Sequence, residues 1–263
     1  MSANRKPLPP LIYLLKKKAN IFKTIYINFK FFSWKTAKKL PIVVFGRIDL
    51  GKCEGEIILK DPPRFAMLIL GAPNPPNINY GKTVFWVDGT LEISDHIRVY
   101  SGSSISVSKD AVLSIGKQII FNVCNRVWCW NNIQIGSYCR FSWDTQIFDS
   151  NFHYMMDTDG MVKSHRGKVV IGDSCWIGNR VTINKGTVLP NQTIVAACSF
   201  VNKDFSSFGE AATIGGLPAK FITQGVRRIV NLKKELEIDA YFKTHKDEEM
   251  IKIDNDTSLF QWY

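Results

Sequence analysis

The chain has 263 residues, of which 45% are apolar and 22% charged, and its net charge is +11. This is the composition of a globular protein with a sizeable core, and it excludes a disordered or fibrous chain. No stretch approaches the roughly 18 consecutive apolar residues of a membrane-spanning helix, and no export signal opens the sequence, so a cytoplasmic protein is expected. Cys53, Cys124, Cys129, Cys139, Cys175 and Cys198 show no metal-type C-x-x-C pairing. They read as small core residues in a reducing compartment.

Residues 1–40 hold ten basic and no acidic residues, 226–263 are close to neutral, and the long middle carries only +2. The basic character therefore belongs to one end. That end has a helical pattern: Phe22, Ile25, Tyr26 and Phe29 recur at i, i+3, i+4 and i+7, which puts them on one face. A basic amphipathic arm with aromatic residues can lie on an anionic membrane surface, here the inner face. The other reading is that the apolar face packs on the main domain and leaves the lysines in water. Nucleic-acid binding is not expected, because no recognition motif accompanies the charge.

Residues 41–110 read as irregular strands and weak hexads (Val87, Ile93, Val99, Ile105), interrupted by the proline-rich turn Gly71–Ala72–Pro73–Asn74–Pro75–Pro76. From 111 to 222 a period of six takes over. Ile171, Ile177, Ile183, Leu189, Val195 and Val201 are all aliphatic, and Cys175, Val181, Thr187, Thr193, Ser199 and Phe205 follow four residues later. Ile115, Phe121, Val127 and Ile133 form an earlier run, and Ile135, Phe141 and Ile147 another after a shift of two. A helix repeats at 3.6 and a strand at 2; one residue in six is the mark of a parallel β-helix, a triangular prism of stacked coils.

Four segments within this region carry a family resemblance. Ile171–Gly172–Asp173–Ser174–Cys175–Trp176–Ile177–Gly178 looks like an I-G-D-x-x-W-I-G coil, and Val195–Ala196–Ala197–Cys198–Ser199–Phe200–Val201–Asn202–Lys203–Asp204 like I-G-A-G-S-V-V-T-K-D. Gly216–Leu217–Pro218–Ala219–Lys220 looks like the closing G-N-P-A-K, and Phe148–Asp149–Ser150–Asn151–Phe152–His153 like the segment that ends in a catalytic histidine. Together they resemble the hexapeptide-repeat acyltransferases, most of all the galactoside and maltose type and the surface-polysaccharide O-acetyltransferases. Asn202, Ala196 and Leu217 depart from the family's Thr, Gly and Asn.

The resemblance implies a left-handed parallel β-helix over 41–222, acetyl-CoA as co-substrate without a metal, a sugar or glycan acceptor, and a homotrimer with its active site between subunits. His153, in an insert spanning 148–168 that breaks the hexad register, would be the general base; histidine suits the role because its pKa lies near working pH. Asn122, favoured over Asn125 by counting back from Ile135, would face that base from the neighbouring subunit. Asp149 is the sequence candidate for holding the imidazole, and His165 is the fallback base. Asn179 and Ala197 would contact the pantetheine arm, Asn202, Lys203 and Lys220 the nucleotide end, and Trp176 is a site wall or a packed corner. Residues 223–263 should form a short helix, Arg227–Glu237, and a charged tail.

Three functions fit this reading. The first is acetyl-CoA-dependent O-acetyl transfer to a sugar or glycan in surface polysaccharide biosynthesis. The second is N-acylation of an amino sugar nucleotide. The third is a non-catalytic assembly protein or a hexapeptide-type zinc carbonic anhydrase, which would need three histidines on one metal.

Overall fold

A computed structural model describes residues 9–73, 80–254 and 256. Arg5, Lys6, the Asn74–Pro76 part of the proline-rich turn and the last residues of the tail lie outside them. The chain winds through short parallel strands that return to three sheets of nine, seven and six strands. These are the three faces of the expected left-handed β-helix. The first face begins with Ile42–Val44, the second with Ile48–Asp49 and the third with Glu56–Leu59.

Each face buries one ladder of side chains, because alternate residues of a strand point to opposite sides. The first ladder runs Val44, Leu70, Val99, Phe121, Phe141, Ile177, Val195, Ile214. The second runs Phe85, Ile105, Val127, Ile147, Ile183, Val201, and the third Leu59, Ile93, Ile115, Ile135, Ile171, Leu189. The series from Ile171 to Val201 thus visits the faces in turn, and all six residues are buried. The residues four further on fill the corners from inside. Thr187, Thr193 and Ser199 each donate their hydroxyl to the carbonyl three residues back, at 2.7 Å, so a polar corner costs little on burial. Ser174, Arg180, Gln192 and Cys198 hold left-handed φ of +57 to +60° at corners of the prism, with Gly186 at +79° between the second and third.

The prism starts at Ile42, well before the regular repeat at 111. Its earlier strands are longer, and a four-residue strand such as Asn132–Ile135 sends two residues inward, Ile133 and Ile135. Each such strand adds two residues to the step. Val99 to Phe121 is therefore 22 residues and Phe121 to Phe141 is 20, against 18 from Ile177 to Val195. The weak early hexads are the same ladders with this shift.

The N-terminal end is capped by α1 (Pro10–Lys16), α2 (Ile21–Phe31) and α3 (Trp34–Ala37). An open first strand would expose unpaired backbone groups. The Asn28 side chain bonds both the N–H and the C=O of Ile42, at 3.0 and 2.6 Å, and Thr24 Oγ1 accepts from the Val44 N–H at 3.0 Å. Polar side chains therefore face inward from α2, with Ile27 beside them. The stripe of Phe22, Ile25, Tyr26 and Phe29 faces out, so the reading that packs this stripe on the main domain is corrected. Satisfying the edge strand takes the inner face.

At the other end Ala219–Gln224 turns back antiparallel to Ala212–Gly216. The C-terminal helix, α4, spans Leu232–Thr244 rather than Arg227–Glu237, because Asn231 Oδ1 caps it by accepting from the Lys234 N–H at 3.2 Å. Arg228 is held before it, donating to the Tyr138 carbonyl at 2.8 Å.

Candidate active site

The chain leaves the second face after Gln146–Phe148 and rejoins the third at Val169–Ile171. Between them it makes a hairpin in which Met155–Met156 pairs antiparallel with Val162–Lys163. Asp157 Oδ1 closes the tip by accepting from the N–H groups of Asp159 and Met161, an Asx turn. At the base, Asn151 N–H donates to the His165 carbonyl and Gly167 N–H to the Asp149 carbonyl, both at 2.8 Å. Two bonds to the next coil rest the insert on the prism: Asn184 Nδ2 to Asn151 Oδ1 at 3.3 Å and Lys185 Nζ to the Ser164 carbonyl at 2.6 Å.

His153 stands on this insert, exposed, at the edge between the second and third faces. Both of its neighbours are pinned. Phe152 has a left-handed φ of +64°, an unfavourable conformation for an aromatic residue that surrounding structure must enforce. Its ring sits edge-on in a cluster with Trp130, Phe148 and Trp128, at 5.4, 6.0 and 6.2 Å, and its N–H donates to Ser150 Oγ at 2.9 Å. On the other side the Tyr154 ring meets His165 edge-on at 4.6 Å. His165 is buried, with Nδ1 2.8 Å from Ser150 Oγ. It braces the insert, while the His153 ring is left with no hydrogen bond to the described residues and open to solvent.

Asp149 is a correction. Its carboxylate is buried in the corner below the insert, accepting the N–H groups of Trp130 and Asn131 at 2.7 and 2.8 Å. It does not hold the imidazole, because those two backbone donors would otherwise be orphaned. Cys129 Sγ lies 3.5 Å from the same carboxylate. Burial first, and then this negative neighbour, push the thiol's pKa far up. Cys129, Cys53, Cys139 and Cys175 are indeed buried, whereas Cys124 is half-buried and Cys198 exposed; all six are free thiols.

The remaining predicted residues fall on two edges. Asn122, Asn179 and Ala197 follow strands of the first face and share the edge between the first and second faces. Trp176 looks outward beside them, its Nε1 3.4 Å from Ser142 Oγ. A Cβ added to Gly178 would come within 2.7 Å of the Ala197 nitrogen, so coils touch backbone to backbone here and leave a flat ledge. Of the two asparagines, Asn125 is buried and used in the corner, through Asn122 O and the Thr145 N–H. Asn122 is half-exposed on the edge. Asn202 and Lys203 lie exposed on the same edge as His153, two coils further on, with Lys203 Nζ 5.2 Å from the Phe205 ring. Lys220 is exposed on the closing strand, opposite Gly215. The structure thus groups His153 with Asn202 and Lys203, and sets Asn122, Asn179, Ala197 and Trp176 on the neighbouring edge. His96 is elsewhere, against Arg64 and Asp95; among the described residues no three His, Cys, Asp or Glu groups gather as a metal site.

The sequence reading missed the aromatic cluster. Trp128, Trp130 and Phe148 stand outside the inward hexad positions, and only the unusual density of large rings near an edge marked them.

No protein-family model matches the chain. It is 24% identical over 143 residues to the protein of Escherichia coli (strain K12) provisionally named lipopolysaccharide biosynthesis O-acetyl transferase WbbJ. The match covers 54% of this chain and 62% of that relative's length. Among solved structures, the polysialic acid O-acetyltransferase OatWY superposes with a TM-score of 0.48 at 20% identity, covering 69% of this chain and 86% of that one. A mutant of the N-acyltransferase AntD of Bacillus cereus, in complex with coenzyme A and an amino sugar nucleotide, gives 0.41 at 14%, covering 72% and 91%. The name of the Escherichia coli relative is that of an O-acetyltransferase, in keeping with the resemblance of the hexapeptide segments, and the three-sided parallel prism bears out the fold.

Proposed function

We propose that the protein is an acyltransferase that moves an acetyl group from acetyl-CoA to a hydroxyl of a sugar or glycan, in the assembly of a surface polysaccharide. The observation that carries this is the exposed histidine on a braced insert at one edge of a hexapeptide prism. An insert fixed at its base and on both sides of one imidazole is more than a surface loop needs, since loops on rigid scaffolds commonly carry function.

In this reading His153 removes the acceptor's proton as its oxygen attacks the thioester carbonyl. The carbonyl oxygen gains negative charge and takes a hydrogen bond from Asn122 Nδ2. The C–S bond then breaks, CoA leaves as thiolate, and the imidazolium returns the proton to sulfur. The ledge of Asn179 and Ala197, with Trp176 beside it, offers a shallow track for the pantetheine arm. Asn202, Lys203 and Lys220 meet the nucleotide phosphates. His153 and Asn122 occupy different edges of one prism, so the site is completed when the histidine edge of one copy meets the ledge of the next. A closed ring of three copies does this, each interface pairing two unlike edges. The second ring nitrogen of His153 then finds its acceptor on the neighbouring copy. Free thiols at all six cysteines and an acetyl-CoA donor suit a cytoplasmic reaction.

The test is release of CoA from acetyl-CoA with a panel of sugars, glycan fragments and amino sugar nucleotides, for wild type and His153→Ala. Turnover on hydroxyl acceptors that vanishes in the variant is expected. Turnover on amino sugars alone would move the assignment to N-acylation. No turnover and no acetyl-CoA binding would leave a scaffold.

A further inference from the structure

The N-terminal cap presents a surface that the fold does not use. α2 turns Thr24, Ile27 and Asn28 to the prism, and its other face carries Phe22, Ile25, Tyr26 and Phe29. Phe22 is 90% exposed, and Trp34 of α3, 72% exposed, extends the patch by packing its ring 5.1 Å from Phe29. Large exposed apolar patches of this kind mark an interaction surface.

The surroundings select the partner. Residues 9–40 contain eight lysines and no carboxylate. Lys23, Lys30, Lys35, Lys38 and Lys39 are exposed, and Lys23 Nζ lies over the Tyr26 ring at 5.9 Å. Such a face repels a second copy of itself, because self-complementary pairing would set lysine against lysine. Aromatic rings with a hem of lysines suit the headgroup layer of an anionic bilayer, where rings enter the acyl boundary and ammonium groups meet phosphates. The 11-residue α2 is about 16 Å long, half of what a bilayer core requires, so it can lie on a membrane and not cross one.

The geometry points to a peripheral membrane anchor: the outer face of α2 and α3 docks the prism, N-terminal end first, on an anionic lipid surface, with Phe22 and Trp34 as the inserted side chains. This goes beyond the acyltransferase reading and does not depend on it. It gives the outward stripe a role that core packing does not supply.

The experiment is co-sedimentation of the full chain with vesicles of phosphatidylcholine alone or with about one third phosphatidylglycerol, for wild type, Phe22→Ser/Trp34→Ser and Lys23→Glu/Lys30→Glu. Binding to the anionic vesicles only is expected. Each double variant should bind at least about tenfold more weakly at an unchanged melting temperature, since these side chains support no buried contact. Binding should also fall steeply toward 1 M salt, where the screening length is about 3 Å. Failure of the wild type to sediment with anionic vesicles would overturn the proposal. So would variants that bind as well as wild type, or a face that proves to hold two copies together, seen as a wild-type oligomer that both variants dissociate. Acetyl transfer to a soluble acceptor, measured in parallel, separates failure of this proposal from failure of the acyltransferase reading.

Discussion

Two edges flank the second face of the prism, and they are built from the same hexapeptide yet differ in what they carry. The edge toward the first face is smooth. Beyond residue 83 its corners carry no insert, coil lies on coil through Gly178 and Ala197, and Trp143 and Arg180 are large side chains left exposed on it. The edge toward the third face is broken once, by the insert that lifts His153 away from the prism. A plain coil keeps its corner side chains close to the prism, so the added chain is what carries His153 outward. The cost of ordering that chain is met locally, through Phe152 in its aromatic cluster, His165 on Ser150 and the two bonds to the next coil.

The sharpest way to break the contrast is at the tip of the broken edge. His153→Ala should lower kcat about 10²–10⁴-fold with the melting temperature unchanged, because the ring bonds nothing among the described residues. Steady-state CoA release and a thermal melt on the same sample check both halves. Next is the packing behind it. Phe152→Ala removes the ring that fixes the residue before His153, and a small displacement of the proposed base is expensive. A fall of about 10–100-fold in kcat is expected, with little change in KM for acetyl-CoA.

Asp149 separates structure from chemistry. Asp149→Ala strips the Trp130 and Asn131 N–H groups of their buried acceptor and should cost about 2 kcal/mol of stability, read by urea unfolding. Activity per folded molecule should fall far less than for His153→Ala. An equal loss with unaltered stability would return Asp149 to the role of imidazole partner. On the smooth edge, Ala197→Arg should raise KM for acetyl-CoA about tenfold or more by filling the ledge, with kcat nearly kept. At the capped end, Asn28→Ala leaves both polar groups of Ile42 unpaired and should cost about 2 kcal/mol, without effect on kinetics at low temperature.

These contrasts follow how legible each part was. The upper coils were readable because each hexapeptide sends one aliphatic residue inward, so the ladders from Ile171 to Val201 lie open in the sequence. The lower coils were fainter for a geometric reason: strands such as Asn132–Ile135 bury two residues and shift the count by two. The insert was visible as a break in register, and its histidine with it. Asp149 was misread because nearness in sequence says nothing of direction, and its carboxylate turns inward to Trp130 and Asn131. The α2 stripe keeps two readings in the sequence because helical periodicity identifies an apolar face but does not say which face the fold requires. The edge strand there needed polar partners, and Thr24 and Asn28 supplied them.

The most direct test of the central claim, that one site takes an edge from each of two copies, is complementation. His153→Ala and Ala197→Arg chains, differently tagged, are co-expressed and the mixed assembly is isolated. In a ring of three that holds both variants, one of the three interfaces joins an intact histidine edge to an intact ledge. The account predicts that, assayed at acetyl-CoA well below the wild-type KM, the mixed assembly recovers acetyl transfer toward that fraction of wild type, while each variant alone stays well below it. A mixed assembly that forms and is no more active than the average of the two variants would place all the machinery within one chain, and would contradict it.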